Sequence, residues 1–423
     1  MKNLFKSVLV LVLLLSVAAT ASAQFNPKLQ YFRAQDQTGL NVFETPKTTD
    51  VKFEGLRVKI GGANTLQFQG LSHENSGAEK LSIGPNFNLA TSNLDIDVQL
   101  ADGLRMHLRT YLSSRHHSEA WVKGGYMQVD RLDFISEGLL SDVMDKVTIK
   151  VGHMQNNYGD AHFRRSDNGQ AILNPFVGNY IMDSFTTEVG AEVYYQSNGF
   201  LAMIGATNGK LNQSVVDPAV GTRPSWLAKL GYDSQINEDL RIRLTGSLYT
   251  TSQTNSVTLY SGDRAGSRYY HVLSNNTAAF TTGRFNPGFS AGGVGGEMTA
   301  IMVNPFVKFQ GLEFFGIFEN SSGKTGAETD TRTFNQYGAE LIYRFGAEEK
   351  VYLGGRYNLV TGDTNAGESV DISRINIGGG WFMTRNVLAK VEYVTQTYDG
   401  FNPGSIFEDG EFNGLMIEAV ISF

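Results

Sequence analysis

Leu94-Asp95-Ile96-Asp97-Val98-Gln99-Leu100 runs into Ala101-Asp102-Gly103 and resumes as Leu104-Arg105-Met106-His107-Leu108-Arg109. Leu94, Ile96, Val98 and Leu100 fall on one face of an extended chain, and Asp95, Asp97 and Gln99 on the other, because strand side chains alternate with period two. The return leg puts Leu104, Met106 and Leu108 against Arg105, His107 and Arg109. With Asp-Gly between the legs, the stretch reads as a β-hairpin. One face is apolar and the other is charged.

The same device recurs to the end of the chain. Leu240, Ile242, Leu244 and Leu248 alternate with Arg241, Arg243, Thr245 and Ser247. Tyr337, Ala339, Leu341, Tyr343 and Phe345 alternate with Gly338, Glu340, Ile342 and Arg344. Val351, Leu353, Tyr357 and Leu359 oppose Tyr352, Arg356 and Asn358. Leu415, Ile417, Ala419 and Ile421 lead to the terminal Phe423.

The connections segregate by length. Short ones are expected at 101–103, 197–199, 234–239, 310–311, 346–349 and 383–386. Long stretches rich in Gly, Asn and Ser are expected at 208–224, 251–297, 320–333, 361–371 and 398–412. A soluble sandwich has no reason for such asymmetry, whereas an outer-membrane barrel has short periplasmic turns and long extracellular loops. Counting back from Phe423 gives an antiparallel transmembrane β-barrel of about 16 strands, with roughly 18 as the alternative count. Residues 51–60 read as an extra strand or a periplasmic segment, and Phe134–Lys146 as helical in a place where a turn is expected.

The N-terminus fits export. Lys2 and Lys6 precede the apolar run Val8–Ala19, and Ala21-Ser22-Ala23 precedes Gln24. That is the tripartite pattern of a signal peptide over residues 1–23, and its apolar run is shorter than the roughly 20 residues of a spanning helix. Residues 24–50 then form a periplasmic N-terminal segment, and 51–423 the barrel. With 47 Gly, 27 Phe, 18 Tyr and no Cys, sheet and packing rather than disulfides hold the exported chain together. Net charge is −7, or −9 once Lys2 and Lys6 leave with the signal, which argues against nucleic acid as a partner. Trp121 and Trp226 at strand starts and Trp381 at a strand end suit interfacial girdles. The expected location is the Gram-negative outer membrane, with outer-membrane lipid around the barrel.

A wide barrel lines water with its inner face. The candidate pore-lining residues are Asp95, Asp97, Arg105, Arg109, Arg241 and Arg243. Lys229, Glu340, Arg344 and Arg356 share that face. Gln155–Phe185, by count the third external loop, carries Asp160, His162, Arg164, Arg165 and Asp167. Folded inward, it would narrow the pore near 155–185 and select ions by size and sign. Of the adjacent Arg164 and Arg165, one is expected to face the passage.

No chemistry-bearing motif competes. His116-His117 lacks a second Cys/His cluster. Gly292–Gly296 lacks the Gly-Lys-Ser/Thr ending of a phosphate loop. No nucleophile elbow is present. Neither enzyme activity, cofactor nor metal is expected. Function reduces to passive diffusion of small hydrophilic solutes or ions through a water-filled barrel. The alternatives are a substrate-specific channel for phosphate-like anions and a structural or adhesive barrel.

Gly61-Gly62-Ala63-Asn64-Thr65-Leu66-Gln67-Phe68-Gln69-Gly70, Val151-Gly152-His153-Met154 before the long loop, and terminal Phe423 together resemble a Bacteroidota-type porin, similar to the phosphate-selective porin O and P family. The resemblance implies a homotrimer and a lumenal ladder of basic residues. In this sequence acids outnumber bases, and no unbroken Arg/Lys run appears. Phe423 resembles the terminal signal that the barrel-assembly machinery reads.

Overall fold

The computed structural model describes residues 27–88, 90–113, 120–209, 223–254, 259–260, 268–277, 283–289 and 296–423. The expected signal peptide, His116-His117 and most of the Gly292–Gly296 run lie outside the described residues.

Among the described residues, seventeen strands form one antiparallel sheet. They are β1 (Arg57–Glu74), β2 (Asn86–Phe87), β3 (Thr91–Ala101), β4 (Leu104–Ser113), β5 (Trp121–Val129), β6 (Val147–Gln155), β7 (Thr187–Ser197), β8 (Phe200–Thr207), β9 (Ser225–Gln235), β10 (Leu240–Thr254), β11 (Gly296–Phe309), β12 (Leu312–Lys324), β13 (Arg332–Phe345), β14 (Val351–Asp363), β15 (Ser369–Thr384), β16 (Val387–Asp399) and β17 (Gly410–Ser422). Each pairs with its sequence neighbour, and β17 returns to β1 with Ala63 opposite Ser422. β2 is a two-residue strip on the upper part of β1, while β3 pairs with the lower part. The architecture is therefore a closed barrel of 16 strands plus one short extra strand, as the alternation predicts.

Closure removes the sheet edges that an open sheet would leave unpaired. It is completed by the terminal residue, whose backbone N–H donates to the Gly62 carbonyl at 3.0 Å while its own carbonyl accepts from Gly62 N–H at 3.1 Å. The Phe423 ring packs over Gly62.

The predicted short connections are all present on the side where β1 begins and β17 ends. Asn198 and Gly199, both at positive φ (52° and 84°), make the turn between β7 and β8. That is the type I′ geometry whose twist matches paired strands. The connection 130–146 is longer than its neighbours and holds a short helix, Ser141–Met144, so the helical reading of that stretch holds over one turn. Strand 1 begins at Arg57, inside the ambiguous 51–60 stretch.

Outward rows are apolar and exposed, as at Tyr337, Leu341, Tyr343 and Phe345, or Leu415, Ile417 and Ile421. Trp121, Trp226 and Trp381 all face outward. Inward rows hold Asp95, Asp97, Arg105, Lys229, Arg243, Glu340, Arg344 and Arg356, all buried. The inner face is thus polar, yet the barrel is not empty: three stretches of chain occupy it.

Candidate functional site

The first of these stretches is 156–186, the third external loop, which folds inside the barrel. Almost all of it is buried. It has little regular structure, so its backbone donors and acceptors need partners that a helix or sheet would otherwise supply. Wall side chains supply them. Lys390 donates to the carbonyls of Ala171, Asn174 and Phe176 at 2.9, 3.1 and 3.0 Å. Glu392 accepts from the N–H of Val177 at 2.8 Å, and Asn358 from that of Ile181 at 2.6 Å. Gln336 accepts from Met182 N–H at 2.9 Å and donates to the Met182 carbonyl at 3.0 Å. Arg356 donates to the Gly178 carbonyl at 2.7 Å. These residues belong to β13, β14 and β16.

The second stretch is the described part of the long connection between β10 and β11. Tyr260 donates its hydroxyl to Glu319 at 2.8 Å, beside Tyr158 from the first loop at 3.0 Å. Tyr269 donates to Glu392 at 2.7 Å. Arg268 reaches Glu418 and the Asn168 carbonyl. The two loops also meet, with Phe285 N–H donating to Ile181 O and Phe185 N–H to Leu259 O, both at 2.8 Å. Apolar side chains fill the gaps between them, including Val177, Ile181, Met182, Leu259 and Val272 with Phe306, Phe315, Val394 and Phe412 of the wall.

The third stretch is the N-terminal segment. It is expected on the periplasmic side, and it also reaches into the barrel. Gln30 bonds Gln99 and Gly103. Asn41 donates to Glu313 at 2.6 Å, Glu44 contacts Lys229 at 3.1 Å and Arg243 at 2.8 Å, and Phe43 packs edge-on against Phe163 and Phe306.

On the opposite flank the described residues leave a cavity of about 160 Å³. Its wall comes from β3 to β7, notably Asp97, Arg105, His107, Arg109, Lys123, Tyr126, Lys150 and Tyr194. Its inner side comes from Phe32, Arg33, Glu44, His162, Phe163 and Asp167. A larger vestibule of about 860 Å³ opens at the short-turn end, between the N-terminal segment and Arg241, Lys308, Arg344 and Glu349.

The expected pore-lining residues divide between these environments. Arg105, Arg109, Asp97, His162 and Asp167 line the cavity. Asp95 lies behind it, gripping Arg109 at 2.6 Å, and Asp97 pairs with Arg105 at 2.6 Å and His107 at 3.0 Å. Asp167 is held by Lys123 and, at 3.4 Å, by Arg109. Burial alone would raise the Asp167 pKa, but Lys123, Arg165 and Arg109 hold it below the usual carboxylate range. His162 bonds Gln155 and Asn157, both at 2.9 Å. Burial and the charges of Lys229, Arg33 and Lys150 push its pKa well down, so its ring is neutral at pH 7.

Arg241 lines the vestibule and pairs with Asp233 at 2.7 Å. Three residues anchor the loop instead of lining a passage. Asp160 is enclosed by Lys229 (2.7 Å), Arg243 (2.8 Å) and Thr245 (2.8 Å). Arg164 reaches Glu340 at 2.6 Å and also Asn41. Arg165 pairs with Asp183 at 2.6 Å and stacks over Phe185. The expectation that one of Arg164 and Arg165 faces the passage is not met, because each finds a carboxylate partner in the packed region.

Two further cations, Arg33 and Lys150, line the cavity. Arg33 and Lys150 make no ion pair among the described residues. The Lys150 ammonium sits over Tyr194 at 4.9 Å and Tyr126 at 5.7 Å. Arg33 donates to the carbonyls of Gly39 and Phe163, and its Nε has no partner. Burial lowers its pKa to about 9, with Glu44 opposing the shift, so it stays charged at neutral pH. Lys150 was legible as an inward position by its alternation with Ile149 and Val151. Arg33 carries no periodic signal.

No protein-family model and no curated protein sequence matches the chain. Solved structures do match in fold. The anion-selective porin from Comamonas acidovorans superposes with a TM-score of 0.54 at 12% identity, over 87% of this chain and 100% of that one. The chain shares the closed antiparallel barrel fold of these outer-membrane proteins. OmpT of Vibrio cholerae, an outer-membrane protein, gives 0.52 at 13% identity over 88% and 99% of the two chains. Pseudomonas putida OprB gives 0.52 at 11% over 87% and 94%. At 11–13% identity these likenesses show the barrel fold that the strand pairing describes.

Proposed function

We propose that this barrel is a porin that lets small hydrophilic solutes and ions diffuse passively along the flank formed by β3–β7, with a preference for anions. The observation that carries this reading is the cavity lining. Five cations, Arg33, Arg105, Arg109, Lys123 and Lys150, face three carboxylates, Glu44, Asp97 and Asp167. Two of those cations have no ion-pair partner among the described residues, so the local field is positive. Low-dielectric walls keep that field from being screened as it would be in bulk water. The filter is electrostatic and steric, and no bond is made or broken. The cation cluster supports the phosphate-like branch of the reading that the family resemblance implies. It is assembled from the N-terminal segment and three strands rather than from one run of sequence.

The test is a planar-bilayer recording in a potassium chloride gradient. Wild type should conduct with an anion-side reversal potential, and Lys150→Glu combined with Arg33→Glu should move it toward cations. A potential that stays put in a conducting double variant would exclude this flank as the ion path. A second reading, a plugged structural barrel, is favoured by the loops packed against β12–β16. It requires silence in the same recording.

The reading extends to assembly and surroundings. The outward rows supply the face that lipid would cover. Phe423, at the seam, is the proposed signal for the barrel-assembly machinery. A homotrimer fits the aliphatic outward rows of β1, β3 and β4 (Ile60, Leu66, Leu94, Leu112), which lack Tyr and Trp. The Vibrio cholerae protein has been solved in a trimer form. A single-copy mass for the unheated, detergent-extracted protein would dismiss the trimer.

A further inference from the structure

Glu44 is placed as a solute would be. Its carboxylate touches Lys229 Nζ at 3.1 Å through Oε1 and Arg243 at 2.8 Å through Oε2, and Asn157 donates to Oε1 at 3.3 Å. Both cations project from the barrel wall, on β9 and β10, while Glu44 arrives on a chain that belongs to neither the sheet nor the folded-in loop. Nearby, Asp160 of the loop and Asp233 of the wall are the other carboxylates. Without Glu44, the carboxylates paired with Lys229, Arg241 and Arg243 among the described residues would be these two.

The carrier of this carboxylate is joined to the barrel almost wholly through side chains. From residue 28 to residue 50, one backbone hydrogen bond to a barrel connection is present among the described residues, Gln37 N–H to Arg385 O at 2.9 Å. Only a single 3₁₀ turn, Gln37–Gly39, is regular. Everything else is side-chain contact, so withdrawal would break no sheet ladder. Yet the segment covers a good deal. Phe43 lies against Phe163 and Phe306, with ring centroids at 5.8 and 5.4 Å, and residues 37–41 form one side of the vestibule at the short-turn end.

We propose that residues 28–50 are a displaceable lumenal strap, and that the Lys229–Arg243 pair is a second anion site which the strap keeps filled with its own carboxylate. Withdrawal of the strap joins the vestibule to the β9–β10 wall and exposes two cations suited to a small carboxylate or other oxyanion. This rests on the reading of the barrel as a pore and adds to it a closed path and a built-in occupant.

Three variants of the full chain test it in planar bilayers with potassium chloride. Deleting 28–50 should raise single-channel conductance roughly twofold or more, as expected for a widened water path. Glu44→Gln should leave the strap's bulk in place, raise the frequency of a high-conductance level and shift the reversal potential toward anions. Gln37→Cys with Arg385→Cys should allow the strap to be clamped across the one shared backbone bond, since the chain has no other cysteine. The clamped channel should hold its lower level until a reductant is added. Unchanged conductance in the folded deletion variant would overturn the strap. A Glu44→Gln channel that moves toward cations would overturn the anion site. Silence from wild type and every variant would overturn the pore reading itself, whereas the other outcomes leave it standing.

Discussion

The two flanks of the lumen are built from the same alternating strands and end in opposite states. On the flank made by β10–β17, strands run 13 to 16 residues, and their inward side chains are spent on holding loop backbone. On the flank made by β4–β7, strands run 9 to 11 residues, and their inward cations line a cavity. Longer strands give a deeper wall, enough for a loop to be laid along it and bonded at several levels. Polar inner residues therefore carry no fixed meaning in a barrel. Lys390 and Lys150 are both inward lysines on alternating strands, but one binds three carbonyls and the other faces a cavity between two tyrosine rings.

The largest effect should follow from breaking the packed flank. Glu340 sits between Arg164 at 2.6 Å and Arg356 at 2.7 Å, all three buried. Removing the carboxylate leaves two buried guanidinium groups with reduced compensation, a loss of about 3–5 kcal/mol for a buried pair. Glu340→Ala should lower the temperature at which the barrel unfolds and produce large, noisy openings as the loop detaches. Glu340→Gln, which keeps an acceptor, should lose less. Equal melting of wild type and Glu340→Ala would show that the loop is held elsewhere.

Charge reversal on each flank sharpens the contrast. Arg164→Glu would set a third carboxylate beside Glu313 and Glu340, so the expected outcome is a smaller folded fraction and not a clean change in selectivity. Lys150→Glu touches no ion pair among the described residues. Facing the single carboxylate of Glu192 across the strand pair, it should lower the folded fraction less than Arg164→Glu does and cut the anion-to-cation permeability ratio severalfold, in line with a charge acting through weakly screened space. Heat-modifiability on gels and reversal potentials measure the two quantities. If Arg164→Glu folds normally and changes selectivity while Lys150→Glu does neither, the assignment of flanks is inverted.

Most of the barrel was legible because period-two alternation is local. Leu94 to Arg109 specifies a hairpin wherever it occurs, and Asn198-Gly199 specifies a tight turn. The inward folding of 155–185 was legible from its length and order in the chain. Its anchors were not, because Arg164 meets Glu340 across 176 positions of sequence, and no periodicity encodes which strand a loop residue will reach. The long 251–297 connection read as external, and its described residues Tyr260, Tyr269 and Tyr270 turn out to be inside. Three tyrosines, each with a hydroxyl to place, were the available signal: a buried ring of that kind needs a polar partner for its tip. Arg33 and Glu44 lacked even that, because the strap has no repeat and its contacts are set by the cavity it fills.

A milder probe asks whether inward positions are wet. The native chain has no cysteine, so single cysteines report cleanly. A water-confined thiol reagent should label Lys150→Cys quickly and Val151→Cys, on the outward row, slowly. Gln336→Cys should also label slowly although it points inward, since its side chain is covered by Met182. Fast labelling at 336 would mean that the packed flank opens on the time scale of the reaction.

The smallest expected effect concerns His162, which stands at the border between the two flanks. Burial disfavours its charged form, Lys229, Arg33 and Lys150 add repulsion, and Asp160 opposes them only in part, so its pKa in the folded protein lies well below the ordinary value. The unfolded chain binds a proton there near pH 6.5. Between these two values the unfolded state carries a proton that the folded state refuses, and stability must then fall as pH falls. The slope for one such group is about 1.4 kcal/mol per pH unit below pH 6.5, ending where the folded ring protonates. Above pH 7 neither state is charged at this position, and the contribution vanishes. His162→Gln retains hydrogen-bonding capacity toward Gln155 and Asn157 but cannot titrate. Urea midpoints measured at pH 7.5 and 5.5 should therefore drop further for wild type than for His162→Gln. Parallel drops would mean that the ring takes up its proton in the folded barrel, and that the border of the packed flank is wetter than its contacts imply.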